Sequence, residues 1–333
     1  MKNKEIIENI KSKLTGNKTI DVDYLHSELK KYQTLNNFDV AFEIQILLFN
    51  YLSKEEKEKL NQDANNMLKE HKVKYDQAIE YLNYGDVEKT KKILQELFDV
   101  YERVAKIKGT NFYDFSEVIE YFLYFGDIEK LKLAKIKKVP EPVVHYAYQI
   151  ASIYLEQNDI LNAINYLERA LLFNPVCEYV LEELINRLII CNKFDEAFNY
   201  IKRSLKYAYT KKQLASGYKA LGIYFKHKKV YDKAIASFAV SNLYIDDISN
   251  KISIKEIVDV AGQIKFKDAD HIISLFKEEG INYGPSKEVI TTFKNFIEYA
   301  KINNDKKTLK YVLEIASKLT DDNYFLEQLN KLQ

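Results

Sequence analysis

Tryptophan is absent from this 333-residue chain, and cysteine (2), methionine (2), proline (4) and glycine (9) are scarce. Each shortage excludes something. Cys177 and Cys191 are too few for a disulfide framework, and neither has a Cys-x-x-Cys partner, which removes zinc ribbons and dithiol motifs. Both read as buried thiols. So little glycine and proline disfavours turn-rich all-β folds and low-complexity segments. No run approaches the roughly 20 apolar residues of a membrane span, and the opening MKNKEIIENIKSKL is charged throughout rather than signal-like. The net charge of +1, from 50 basic and 49 acidic residues, supplies no bulk field toward nucleic acid or membrane. The expected setting is the cytoplasm, and the lysine- and asparagine-rich composition suggests a bacterial source.

Motifs for catalysis are missing as well. His26, His71, His145, His227 and His271 are scattered, with no H-E-x-x-H pair. There is no G-x-x-x-x-G-K loop, no G-x-G-x-x-G after a strand and no G-x-S-x-G elbow. The expectation is a non-enzyme with no catalytic residues, no metal and no cofactor. Two lysine groups stand out, one of Lys130, Lys132, Lys135, Lys137 and Lys138, the other around Lys226, Lys228, Lys229 and Lys233. They read as solvated helix ends. With four arginines among 50 basic residues, bidentate readout of bases and phosphates has few tools, so nucleic acid is not an expected partner.

What the chain does have is helical periodicity. Hydrophobic residues make up 47%, and the 26 tyrosines and 18 phenylalanines fall mostly at helix-spaced core positions such as Tyr81, Phe122, Tyr154, Phe225 and Phe238. No alternating strand pattern of useful length occurs, so the fold class is all-α. A Gly or Asn suited to a left-handed helix end recurs five positions before a small residue. The pairs are Asn36 with Ala41, Gly85 with Thr90, Gly126 with Leu131, Asn158 with Ala163, Asn192 with Ala197 and Asn303 with Thr308. Lys229 breaks the rule before Ala234, and Ala269, Ile273 and Phe276 mark a degenerate copy. Ser53 with Glu56 predicts a capping box opening a helix of about thirty residues. Asp114 with Glu117, Thr210 with Gln213 and Ser253 with Glu256 predict further helix starts. Gly280 ends a helix, and Gly284-Pro285 is a break.

The segment VVHYAYQIASIYLEQNDILNAINYLERALLFNP carries Ala151, Tyr154, Ala163, Leu167, Ala170 and Pro175; Ala197 follows Ala163 by 34 residues and Ala234 follows Ala197 by 37. This period and order resemble the tetratricopeptide repeat. The resemblance implies a right-handed α-α superhelix of about eight helix pairs, keyed to residues 41, 90, 131, 163, 197, 234, 269 and 308. Repeats are clear at 144–177, 178–211 and 215–248, and further copies fall at 71–104 and 112–143. Degenerate copies fall at 22–55, 250–283 and 289–322. Residues 1–20 read as a cap or arm on one continuous domain, 21–333.

The resemblance also implies a concave groove lined by the first helix of each pair. The partner-binding positions it gives are Tyr113, Glu117, Glu120, Tyr148, Ser152, Tyr179, Glu182, Glu183, Asn186 and Lys219. The carboxylate clamp of chaperone-tail-binding relatives is lost, because its places hold Tyr148, Ser152, Glu183, Ser216 and Ala220. Acids mixed with tyrosines suit a protein or peptide segment carrying basic and apolar anchors, and Asn186 could brace its backbone. The expected function is a protein-binding scaffold. The alternative is a ligand-controlled switch resembling bacterial peptide-sensing receptors, without an evident DNA-binding module.

Overall fold

The computed structural model of the protein describes residues 3–35, 37–105, 112–126, 137–320 and 322–332. Asn36, Leu131 and the lysines at 130, 132 and 135 lie outside the described residues. The fold is all-α, with seventeen helices among the described residues, many of them packed on the next in sequence. Among the described residues, one extended pairing occurs, of β1 (Phe112–Tyr113) with β2 (Lys137–Lys138). Two compact units divide the chain, residues 1–112 with 139–146, and residues 113–138 with 147–333.

In the first unit, α1 (Asn3–Ser12) and α2 (Lys18–Thr34) pack on α3 (Phe38–Tyr51), burying Ile7, Ile10, Leu25, Val40 and Ile44. The break at Gly16 (φ 84°) is held by buried Asp21, which accepts from the N–H groups of Thr15 at 2.7 Å and Gly16 at 2.9 Å. The Thr15 bond comes first in holding that carboxyl below its usual range. The predicted long helix is α4 (Lys54–Asn83), 30 residues. It opens on the Ser53–Glu56 capping box, in which Ser53 Oγ accepts from Glu56 N–H at 3.1 Å and Glu56 Oε2 from Ser53 N–H at 2.6 Å. After Gly85 (φ 78°) the chain returns as α5 (Val87–Ala105). Thr90 takes the small-residue place there, fully buried, with its hydroxyl donating to the carbonyls of Ala78 at 3.1 Å and Asp86 at 3.0 Å.

The second unit contains α6 (Val118–Phe125), α7 (Val143–Glu156) from its second turn onward, α8 (Ile160–Ala170), α9 (Glu178–Ile190), α10 (Phe194–Tyr207), α11 (Lys211–His227) and α12 (Tyr231–Tyr244). It continues through α13 (Ile248–Ala261), α14 (Ala269–Glu278), α15 (Lys287–Ile302), α16 (Lys306–Leu319) and α17 (Asn323–Asn330). From α8 to α13 each helix packs on the next, and α9 also touches α11. Each tight turn has the same bond, from an N–H to the carbonyl five residues back. It runs from Asp159 to Tyr154 at 2.8 Å, Lys193 to Leu188 at 2.8 Å, Val230 to Phe225 at 3.0 Å and Asp305 to Ala300 at 2.9 Å. The left-handed residue inside these turns is Asn158 (φ 59°), Asn192 (φ 58°), Lys229 (φ 60°) and Asn304 (φ 53°). Lys229 therefore keeps the turn although its side chain does not favour it. On α11, Gly217 and Gly222 let neighbours press close: a Cβ would meet Leu205 at 2.6 Å and Phe238 at 2.7 Å respectively.

Several sequence expectations are corrected. The last left-handed residue is Asn304 rather than Asn303, which shifts the keyed position from Thr308 to buried Leu309. Ser253 lies inside α13, because Asp247, nearly two turns earlier, caps that helix by accepting from Ser249 N–H at 2.8 Å. The start of α6 is a box between Glu117 and Glu120 rather than between Asp114 and Glu117. Ala269 is the exposed first residue of α14, not a packed helix-B position, and Ile273 is exposed while Phe276 is buried. Both cysteines are free, Cys177 buried and Cys191 only half-buried. Burial pushes the Cys177 thiol up to about 12.

The largest departure from a simple row is the last long pair. α15 packs against α6 and α10, far back along the chain. Phe122 stacks on Phe296 at 4.3 Å, Ser286 Oγ donates to the Lys206 carbonyl at 2.8 Å, and Tyr218 Oη accepts from Gly284 N–H at 2.8 Å. The connection that makes this return is the Gly280 to Ser286 segment, with Gly280 at φ 70° and Gly284 at φ 80°.

Candidate functional site

The ten predicted groove residues all belong to the second unit and separate into two groups. The first lies across α7, α9 and α11, the first helices of three successive pairs. Tyr148 and Tyr179 meet edge to face at 4.9 Å, and burial raises both phenols. The Tyr148 phenol also feels the carboxylates of Glu183 and Glu182. Ser216 Oγ donates to Glu182 Oε1 at 3.1 Å, and Gln213 Nε2 to Glu178 Oε2 at 3.0 Å. These two bonds join residues 34 and 35 apart, so the repeat period is written in side-chain contacts.

Glu183 holds the Arg187 guanidinium at 2.5 Å one turn along α9, and Asn186 beside it is exposed. Lys219, one turn beyond Ser216, pairs with Asp247 at 2.7 Å. That lysine is the main cause holding the Asp247 carboxyl down at about 2, with the Ser249 cap adding to it. Ser152 contributes no free hydroxyl, since Ser152 Oγ donates to the Tyr148 carbonyl at 3.0 Å.

The second group sits at α6 and is engaged by the chain itself. Glu120 is 4% exposed, and its Oε2 accepts from Ser116 N–H at 2.8 Å, Glu117 N–H at 3.1 Å and Asn174 Nδ2 at 3.0 Å. Burial raises its carboxyl against the opposing pull of those bonds. Glu117 accepts from Tyr311 Oη at 3.0 Å, a hydroxyl on α16. Tyr113 packs into an aromatic cluster with Phe115 at 5.2 Å, Phe125 at 5.3 Å and Tyr124 at 5.6 Å, and burial pushes its phenol up to about 12. These three residues do the work of a core and a cap.

The sequence reading missed Gln213, which was legible as a cap but not as a bridge to α9. It also missed Asp247, Asn174 and Tyr311, whose roles depend on neighbours remote in sequence. Three lysines of the second group are paired locally: Lys226 with Glu256, Lys228 with Asp195 at 2.7 Å, and Lys233 with Glu279 at 2.5 Å. Among the described residues, no three His, Cys, Asp or Glu side chains are grouped to hold a metal ion, and no helix is long and apolar enough to cross a membrane.

No family model matches the sequence, and no curated protein matches it. Solved structures similar in part include the following two. One, from the functional characterization of Pseudomonas aeruginosa pilF, is 12% identical, with 79% of this chain and 97% of that chain covered and a TM-score of 0.37. The other, a tetratricopeptide repeat protein from Parabacteroides merdae, is 13% identical, with 79% and 98% covered and a TM-score of 0.32.

Proposed function

We propose that this helical-repeat protein is a non-enzymatic, cytoplasmic scaffold that holds a segment of another protein against α7, α9 and α11. The observation that carries the reading is side-chain continuity across those helices. Tyr148 meets Tyr179, Glu182 meets Ser216, and Lys219 and exposed Asn186 flank them one turn away. Tyrosines offer apolar area with a polar tip, and Glu182 and Glu183 favour a segment bearing Lys or Arg beside apolar anchors. The repeat boundaries given above belong to the same proposal. Affinity capture from the source cell, with the wild type and the Glu182→Ala/Asn186→Ala variant, tests it. A reproducible protein partner lost from the variant supports the face, and capture unchanged by both substitutions moves the site elsewhere.

A second reading, the ligand-controlled switch, draws on the return of α15 and α16 onto α6. The Tyr311–Glu117 bond and the Phe122–Phe296 stack join elements remote in sequence, with a separation of 194 for the bond. A ligand that favoured the parted state would move the last pair, in proportion to its differential affinity. Small-angle scattering that is identical with and without a captured partner sinks this reading and leaves the static scaffold.

A further inference from the structure

Arg203 is the one arginine of the second unit that its surroundings leave unexplained. Arg187 is held by Glu183 at 2.5 Å, and Arg169 lies over the Tyr166 ring at 4.2 Å. Arg203 is half-buried on α10, and among the described residues no carboxylate pairs with it. Its charged neighbours on the same helix are lysines, and the groups nearest in electrostatic effect are the phenols of Tyr124, Tyr207 and Tyr200. Burial lowers its pKa without displacing the proton. A desolvated guanidinium without a counter-ion is costly unless something supplies the missing charge.

Arg203 lines a cleft of about 550 Å³ between α10, the Gly280–Asn282 turn and the start of α15. A second lobe of about 470 Å³ continues it along α6, sharing Tyr124, Lys206, Tyr207 and Glu288 with the first. Each lobe is within the roughly 300–1,000 Å³ of small-molecule sites. Among the described residues, four cations line the two lobes, Lys202, Arg203, Lys206 and Lys287, against the single carboxylate of Glu288. In a chain of net charge +1 this is a local surplus. Lys226, Lys228 and Lys233, by contrast, are each matched, by Glu256, Asp195 and Glu279 respectively.

We infer that this cleft binds a small molecule through a phosphate monoester. The charge surplus selects the group: a single carboxylate would leave most of it unmatched, whereas a phosphate monoester carries about −1.5 to −2 at neutral pH. The planar fork of Arg203 suits two phosphate oxygens. The hydroxyls of Tyr124 and Tyr207 add neutral donors, and their rings give the rest of the ligand an apolar wall. The tyrosine and glutamate face on α7, α9 and α11 shares none of these residues, so the two sites stand or fall separately.

Isothermal titration of the full chain with uridine monophosphate, inorganic phosphate, uridine and acetate, at matched ionic strength, tests the assignment. Saturable binding of the monophosphate and of inorganic phosphate, with uridine and acetate at least about tenfold weaker, is the expected result. Arg203→Gln should weaken the monophosphate about tenfold or more, while Arg103→Gln on α5 leaves it unchanged. Glu288→Gln should tighten binding severalfold, a gain that a misfolded variant would not produce, and circular dichroism checks folding throughout. Exposed Lys206→Gln gives a second loss arm if Arg203→Gln unfolds. Monophosphate binding no tighter than uridine or acetate, or unchanged in both loss variants, overturns the proposal.

Discussion

The two ends of the expected groove began as equivalent positions in a repeat and finished with opposite roles. On α9 and α11, Glu182, Asn186 and Lys219 keep exposed or half-exposed side chains on a face that the chain leaves open. On α6, Glu120 is buried and held by Asn174, and Glu117 is bonded to Tyr311 because the last long pair returns to that helix. A repeat register gives the side of a helix on which a residue lies. Whether that side meets solvent depends on what arrives later in the chain.

The sharpest way to break the comparison is to remove the returning contact. Phe122→Ala deletes a ring stacked at 4.3 Å on Phe296 in a buried site, and should cost about 3–5 kcal/mol in urea unfolding. The same truncation of Tyr179, which is 37% exposed, should cost less, and an equal loss at both would end the distinction. Next in size is Glu120→Ala, which strands the N–H groups of Ser116 and Glu117 and the Asn174 amide, for about 2–3 kcal/mol. Glu120 also has a pH signature. Its folded pKa is raised above the ordinary 4.5, so the folded state holds the proton more tightly than the unfolded state. Its burial penalty is therefore greatest above the folded pKa and is relieved as pH falls through that value toward 4.5. Glu120→Gln should flatten this part of the stability–pH curve, and an unaltered curve would contradict the assignment.

Smaller effects belong to the open face. Ser216→Ala removes the bond to Glu182 and should cost about 0.5–1.5 kcal/mol by chemical denaturation. Lys219→Met breaks the ion pair with Asp247, which is partly solvated, so the loss should stay below about 1 kcal/mol. The sign follows from the depressed pKa of Asp247: its contribution is present above 3.8 and disappears as pH falls through about 2. Salt titration should shrink the wild-type advantage further.

Much of the local structure was legible because it is set within a turn or two. Ser53 and Glu56 announced a helix that runs 30 residues, and Thr210 with Gln213 announced α11. Gly85, Asn158 and Asn192 marked their left-handed turns by the residue types such turns favour. Lys229 could not be read this way, since packing on both sides imposes the turn on a residue with no preference for it. Asn303 and Asn304 could not be told apart by type, and only the Asp305 bond to Ala300 fixes which one turns. Of the site, Tyr148 and Tyr179 were expected as separate groove positions, and their edge-to-face contact was not foreseen. The burial of Glu120 and the cleft around Arg203 were not foreseen either, because Asn174 reaches Glu120, and the start of α15 lines the cleft, from places no local pattern announces.

The bonds from Ser216 to Glu182 and from Gln213 to Glu178 turn chain length into a constraint on heredity. An extra residue inside α9, α10 or α11 would rotate everything after it by about 100°, separating partners 34 and 35 positions apart. The stretch from Glu178 to Ser216 should therefore accept many substitutions and almost no insertions or deletions, with any tolerated ones confined to the turns at Asn192 and Ala208. Lineages that drift freely in residue identity across this stretch would still be held to its count.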